Sequence, residues 1–545
     1  MNARHRTAIL LLLAVFAPPA RSADRVTITV LQTSDLHANL LPWDYARGVE
    51  ADWGLARVAT RVRDIRSTAR HVLLLDGGDT IQGAPAAWLE ARRPRGGPHL
   101  MAEAMNALGY DAMAVGNHEF NFGMDVLRRA QEDAAFPWLS ANTRNAADGS
   151  AAFPEFVVKE LGGVRVGVLG LTTPNIPTWE RAANRPGLAW EDPVETARRL
   201  VPVLRGAQRC AVVVVLIHSG LEADPSTGEA IGTGDENRVV ALAREVPGID
   251  LILTGHSHRR IPLTRVHGVP VTQPGRWGEV LARVDLVVER RKGGARVVEV
   301  RGSLLPSDGT VATDPRIAEI ARPHHERALS YLDEPLATAS GPFPGRRARL
   351  EDTALLDLVN ETQLAVTGAD LSLTSLLPFR FGGWEAGPLT VRHVYALYPY
   401  ENQLAVVEID GARLREVLEH AATFYGTARW QDGRLAVTPR AGMTPYSFDV
   451  LQGASYRLDP TAPVGSRVKE LRFRGKAVRD DDVFSLAVNS YRAQGAGGVT
   501  GGAGGEGSSE SQTASGARTQ FPSVTGWTVP ATRSLSTRSS RTSSW

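Results

Sequence analysis

The sequence predicts two units in series, a layered α/β domain and a smaller α+β domain, and three observations carry that reading. First, 545 residues exceed what one hydrophobic core usually organises. Second, from Arg25 to about Ser303 short Val/Ile/Leu-rich runs alternate with longer helical stretches, the pattern of sheets layered with helices. Third, a Pro/Arg-rich stretch, Pro342 to Arg349, interrupts the chain before a new mixture of helices and strands runs from about Leu350 to Gly498.

Taken in order, Arg4 and Arg6 precede the apolar run Ala8 to Phe16, and Ala20 and Ser22 supply small residues at cleavage spacing. This is the layout of an export signal, broken by Pro18 and Pro19 and short for the roughly 20 residues that a membrane span needs. The expectation is a periplasmic or secreted protein with no stable membrane anchor. The apolar runs Val26 to Leu31, Val72 to Leu75, Ala112 to Val115, Val212 to Ile217 and Leu251 to Leu253 then read as buried strands. Each stops at a polar cluster: Ser-Asp-Leu-His, Asp-Gly-Gly-Asp, Gly-Asn-His-Glu, His-Ser-Gly and Gly-His-Ser-His. Loops at the carboxyl ends of such strands gather on one edge, where ligands bind, so five clusters are expected to converge.

Further along, Ile317 to Leu332 predicts a connecting helix and Gly341 to Arg349 a hinge, followed by helices over Ala354 to Thr367 and Gly411 to Tyr425. From Gly495 onward Gly, Ser, Thr and Arg dominate, which predicts a disordered tail. The ranges are 1–22 for the signal, 26–310 for the first domain, 311–349 for linker helix and hinge, 350–498 for the second domain and 499–545 for the tail. A charged fraction of 22% and a formal net charge of +2 leave no excess of either sign to attract polymeric nucleic acid. The single cysteine, Cys210, allows no internal disulfide and reads as a buried apolar residue.

The chemistry lies in the clusters. Asp35 and His37 are one residue apart and can point to the same side of an extended segment; alone the pair is a weak signal, since Asp-x-His occurs often by chance and a surface turn is the better reading of it. Asp79, Asn117, His218, His256 and His258, each just past a buried strand, complete a mixed N and O donor set. Such a set suits zinc, manganese, iron or cobalt better than calcium. Seven donors exceed one tetrahedral ion, whereas two ions sharing a carboxylate use them all. The assignment is Asp35, His37, Asp79 and His258 to one divalent ion, and Asp79, Asn117, His218 and His256 to the other, with Asp79 bridging. Two ions lower the pKa of a shared water and hold phosphate oxygens during in-line displacement, so hydroxide would be the nucleophile. His118, next to Asn117, is expected to stabilise the transition state or protonate the leaving oxygen; the competing reading is a structural histidine. Asp76 is expected to tolerate substitution.

Together, Asp35-Leu-His37, Gly78-Asp79, Gly116-Asn117-His118-Glu119, His218 and Gly255-His256-Ser257-His258 resemble the signature of the calcineurin-like metallophosphoesterases. The resemblance continues into a 5′-nucleotidase-type C-terminal domain and covers nearly all of residues 26 to 498. It implies a β-sandwich flanked by helices, with a substrate-binding α+β domain behind it. Four stretches look closest to the bifunctional 2′,3′-cyclic-nucleotide 2′-phosphodiesterase/3′-nucleotidases: Asn117 to Gly123, Pro274-Gly275-Arg276-Trp277-Gly278, Tyr398-Pro399-Tyr400-Glu401-Asn402 and Asn489-Ser490-Tyr491-Arg492-Ala493. Ordinary 5′-nucleotidases carry Asp where this chain has Asn121, so the charged partner that Asp gives the neighbouring histidine is missing here. The resemblance implies that Tyr400 and Tyr491 hold the base between them by stacking, and it places Asn121 among the substrate-binding residues. An obvious arginine-bearing substrate loop is missing over Leu373 to Gly383, although Arg380 is near. The tail after Gly498 departs from the family, and a frameshift fits so abrupt a change.

The first reading is therefore an exported hydrolase of 2′,3′-cyclic nucleotides and 3′-nucleotides. The alternatives are a 5′-nucleotidase or UDP-sugar hydrolase of the same architecture, a thiosulfohydrolase sharing the dinuclear core, and a non-catalytic secreted binding protein.

Overall fold

The computed structural model describes residues 24–493 except 225–226, 232–234, 292–293, 378–380, 400–401, 432–433 and 441–447. The expected signal, the tail from 499 onward, Arg380 and Tyr400 lie outside the described residues.

The first unit is built on two six-stranded sheets. One runs in the order Gly294–Pro306, Val280–Arg291, Asp24–Thr33, Val72–Asp76, Ala112–Ala114, Trp138–Leu139. The other runs Arg260–Val266, Val269–Pro274, Leu251–Thr254, Val212–His218, Val164–Thr172, Phe156–Leu161. The strands that end in the polar clusters pair in parallel, Asp24–Thr33 with Val72–Asp76 and Val212–His218 with Leu251–Thr254, so their carboxyl ends fall on one edge.

Side-chain alternation stacks the layers. Val26, Ile28, Val30, Leu73, Leu75, Val212, Val214, Leu216, Leu251 and Leu253 share the core between the sheets. Neighbours of opposite parity face outward: Leu31 and Leu74 meet the helices Leu55–Thr68, Leu100–Leu108 and Pro315–Leu332. Val213, Val215, Ile217 and Ile252 meet Pro193–Arg205 and Val239–Glu245. Continuous apolar runs are what strands buried on both faces require. His218 continues the parity of Val212, Val214 and Leu216 and is carried to the inter-sheet side, fully buried. The layered β-sandwich flanked by helices is thus what the sequence predicts.

The helix expected from Ile317 begins at Pro315, because Asp314 caps it: its carboxylate accepts from the backbone N–H of Arg316 at 2.8 Å and Ile317 at 3.0 Å. Ile317, Ile320, Ala321, Ala328 and Leu332 pack this helix into the first core. By contrast, Pro335–Ala339 pairs with Gly387–Thr390, and Phe343–Pro344 with Gly383–Trp384. The stretch read as linker and hinge therefore divides between the two units.

The second unit has a four-stranded sheet in the order Leu404–Asp410, Val483–Asn489, Leu371–Ser375, Asp449–Gln452, with helices Ala354–Thr367 and Gly411–Ala422. The latter helix stops three residues short of the Tyr425 expected from periodicity. Tyr425 instead opens the strand Tyr425–Gln431, with its ring buried and its hydroxyl donating to the Arg349 carbonyl at 2.6 Å. Arg392, on the helix Val391–Leu397, links the units by donating to the Tyr45 carbonyl and to Asp333, each at 2.7 Å. Cys210 is buried, as expected. Among the described residues no helix is long and apolar enough to cross a membrane.

Candidate metal centre

The five loops meet where the two sheets end, and their donor atoms form two clusters, Asp35, His37 and His258, and Asp79, His218 and His256. Asp35, His37, Asp79, His256 and His258 all adopt positive φ, between 47° and 70°. Left-handed backbone is disfavoured for residues with a Cβ, and such strain persists only where surrounding structure over-determines it. Here the ties are visible: the N–H groups of Asp35 and His37 donate to the carbonyls of Gly78 and Asp79, each at 2.9 Å, and Trp277 N–H donates to the Asp35 carbonyl at 2.8 Å. Glycine is required at Gly116, where an added Cβ would stand 2.2 Å from Asp79 Oδ1.

Three of the imidazoles are aimed by their second nitrogen. His37 Nδ1 meets the Gln82 carbonyl at 2.9 Å, which leaves Nε2 facing His258 Nε2 at 3.0 Å, and His258 Nε2 lies 3.4 Å from Asp35 Oδ1. His218 Nδ1 meets the Gly77 carbonyl at 2.6 Å, leaving Nε2 at 3.0 Å from Asp79 Oδ2 and 3.2 Å from Asn117 Oδ1. His256 uses the opposite nitrogen: Nε2 meets Glu236 Oε1 at 2.9 Å, and Nδ1 lies 3.0 Å from Asn117 Oδ1. A histidine whose far nitrogen is fixed by a carbonyl or carboxylate is oriented as a metal ligand is. Trp179 stacks on His256 with ring centroids 5.3 Å apart.

Burial, with His258 and His118 nearby, lowers His37 to about 3, keeping it the neutral imidazole that ligation needs. For Asp79, burial alone would raise the carboxyl, but His218 and His118 outweigh it and hold it well below the carboxylate range. Burial likewise opposes the ionised form of Asp35, yet the hydrogen bond and charge of His258 bring it below its ordinary value. Two anionic carboxylates among imidazoles in a buried pocket are a donor set that fits two divalent cations.

His118 sits on the rim, 28% exposed, with Nε2 4.0 Å from Asp79 Oδ2 and its backbone N–H donating to Asp79 Oδ1 at 2.8 Å. Its Nδ1 is 2.5 Å from Asn121 Oδ1, and Asn121 Nδ2 donates to Glu180 Oε2 at 2.6 Å. Both ends of the Asn121 amide are thus engaged by the protein. Tyr491 belongs to the short helix Ser490–Ala493, but its side chain, like all of Tyr400, is outside what is described.

Three acidic residues at the site carry no role in the sequence reading. Glu119 accepts from the backbone N–H groups of Asp79, Thr80, Ile81 and Gly116; its place in the Gly-Asn-His-Glu cluster was the available signal. Glu180 and Glu236 lie 59 and 20 residues from their partners, a separation at which spacing says nothing. Asp76, expected to be tolerant, is fully buried and accepts from Thr33, Gly78 and Thr80. Burial raises it to about 7, so its surroundings are those of a structural anchor.

With this geometry in view, residues 28–260 match the calcineurin-like phosphoesterase family and residues 335–502 the 5′-nucleotidase C-terminal domain. A 2′,3′-cyclic-nucleotide 2′-phosphodiesterase/3′-nucleotidase of Yersinia enterocolitica is 30% identical over 88% of this chain and 82% of its own length. The Salmonella typhimurium protein of the same name is 29% identical over 89% and 84%. Among solved structures, a Staphylococcus aureus protein assigned to the 5′-nucleotidases, in complex with alpha-ketoglutarate, superposes with a TM-score of 0.76 at 26% identity, over 87% of this chain and 92% of that one.

Proposed function

Because the chain belongs to the calcineurin-like phosphoesterases that carry a 5′-nucleotidase C-terminal domain, it is a metal-dependent hydrolase of phosphate esters, and we propose that its substrates are 2′,3′-cyclic nucleotides and 3′-nucleotides. The observation that carries the substrate class is similarity over most of both chains to relatives of that name, joined to a buried donor set for two ions. Export to the periplasm or medium belongs to the same proposal and rests on residues 1–22.

In this reading Asp35, His37 and His258 hold one ion, Asn117, His218 and His256 the other, and Asp79 serves both. Bound ions supply Lewis-acid charge to phosphate oxygens and activate water. The remaining work falls to the protein. Gln82, Gly77 and Glu236 keep three imidazoles turned inward. His118, with Nδ1 engaged by Asn121 and Nε2 4.0 Å from Asp79 Oδ2, donates a hydrogen bond or proton from Nε2 to the phosphoryl or leaving oxygen.

The second unit, residues 335–498 in this proposal, binds the nucleoside, with Tyr400 and Tyr491 on the two faces of the base. Support comes from the flanks of those tyrosines. Asn489 Nδ2 donates to Tyr398 Oη at 2.7 Å, tying one tyrosine-bearing motif to the other, and Arg492 is anchored through a buried pair with Asp449 at 3.0 Å. A 5′-nucleotidase is the second reading, favoured by the Staphylococcus aureus superposition.

The two separate in one assay: purified protein with Mn²⁺, given 2′,3′-cyclic AMP, 3′-AMP, 5′-AMP and UDP-glucose. Higher kcat/KM on the first two is expected. A preference for 5′-AMP or UDP-glucose would overturn the cyclic and 3′ assignment.

A further inference from the structure

The missing aspartate beside His118 has a replacement one side chain away. Asn121 Oδ1 lies 2.5 Å from His118 Nδ1, and Asn121 Nδ2 donates to Glu180 Oε2 at 2.6 Å. Glu180 is buried, 6% exposed; its other oxygen accepts from Asn184 Nδ2 at 2.6 Å and from the backbone N–H of Arg181 at 2.9 Å. Every partner of this carboxylate is a donor.

We infer that Glu180 is a positioning residue for catalysis: it dictates which end of the Asn121 amide meets His118, and so which ring nitrogen of His118 works on the substrate. The inference rests on His118 acting in turnover, as proposed above. A primary amide has one donor end and one acceptor end, and the two are nearly isosteric. The carboxylate accepts only, so the NH2 end of Asn121 must turn to Glu180 and the oxygen to His118. That oxygen in turn accepts only, so His118 Nδ1 carries a proton and Nε2, on the pocket side, is the nitrogen left to exchange one with the substrate. Removing the negative oxygen lets the amide turn round, and its NH2 then selects the opposite tautomer. Holding the reactive tautomer through a buried acid is the same physical device as a histidine–carboxylate pair, with one amide interposed.

Glu180→Gln is the isosteric test. The glutamine oxygen is claimed by Arg181 N–H and Asn184 Nδ2, which turns the new NH2 toward Asn121 and forces its amide to flip. With 3′-AMP as probe, kcat should fall about 10- to 100-fold, the usual scale for losing an orienting partner, with KM nearly unchanged and two ions per chain retained. In Asn121→Asp/Glu180→Gln every donor again meets an acceptor, with the charge one residue nearer His118; kcat should return to within about threefold of the parent. His118→Ala separates this inference from the reading beneath it. If His118→Ala keeps its turnover, the role of His118 fails and this inference with it. If His118→Ala collapses while Glu180→Gln turns over normally, only the inference is overturned. It is overturned equally if the double variant, folded and metal-loaded, stays as slow as Glu180→Gln. Should Glu180→Gln not fold, the double variant decides alone: near-parental kcat supports the chain of three, and a deficit above tenfold refutes it.

Discussion

Glu119→Gln is the most informative perturbation of the metal centre, because it changes one atom and leaves every proposed ligand in place. Glu119 Oε2 accepts from Asp79 N–H at 2.9 Å and Gly116 N–H at 2.7 Å; Oε1 accepts from Thr80 N–H at 2.6 Å and Ile81 N–H at 3.3 Å. Burial and the nearby Asp79 push this carboxyl above its ordinary value, yet a proton on either oxygen would point at an N–H. Whichever way a glutamine turned, its NH2 would likewise oppose two backbone donors. Leaving a buried donor without an acceptor costs about 1–3 kcal/mol, so two of them put the loss at about 2–6 kcal/mol. The loop they belong to carries Asp79, so the same loss should appear as weaker metal retention. Thermal unfolding and metal content after dialysis measure the two. A variant with parental Tm and two retained ions would refute the argument that Glu119 holds the Asp79 loop in its left-handed turn.

Asp79→Asn should lower metal content and abolish turnover together, since the same carboxylate is proposed to serve both ions; two retained ions with normal turnover would end the bridging assignment. His99, N-cap of the helix Leu100–Leu108 through Nδ1, is lowered to about 3 by burial and by Arg129 and His324. The unfolded chain therefore binds a proton near pH 6.5 that the folded chain refuses, and stability falls as pH drops from there toward 3, by about 1.4 kcal/mol per pH unit. His99→Asn, which keeps a cap, should remove that one contribution to the loss of stability between pH 6.5 and 4.5; a slope identical to the parent's would show that His99 contributes none of it. Tyr400→Ala and Tyr491→Ala should each weaken nucleotide binding by about 1–3 kcal/mol, read as a higher KM for 3′-AMP with p-nitrophenyl phosphodiester hydrolysis spared.

How much of this was legible beforehand follows the range of the interactions involved. Strands buried on both faces print themselves as runs such as Val212 to Ile217, and the polar residue that ends each run is the one the parallel register delivers to the edge. Asp35, His37 and His258 were accordingly expected together, as were Asp79, His218 and His256, and the fold brings each of these two sets of donor atoms together. Contacts across long loops were not legible. Glu180 reaches Asn121 across 59 residues of chain, and no local pattern marks it among other glutamates. The burial of Asp76 was hidden for a related reason: its partner Thr33 becomes a neighbour only once two strands have paired. Periodicity overran at Tyr425, where the tertiary contact with Arg349 overrides helical propensity.

Each cluster takes ligands from both sheets, and this fixes an order of events during synthesis. Asp35 and His37 leave the ribosome early, yet their cluster is closed by His258, 221 residues after His37; the other waits for His256. The strand Asp24–Thr33 also pairs with Val280–Arg291, so the first sheet is complete later still. No ion has a finished site on the nascent chain until most of the first unit has emerged and its long-range pairings, the slow step in such topologies, have formed. Metal loading thus depends on those pairings, and a substitution that weakens the pairing of Leu251–Thr254 is expected to show itself as poor metal loading.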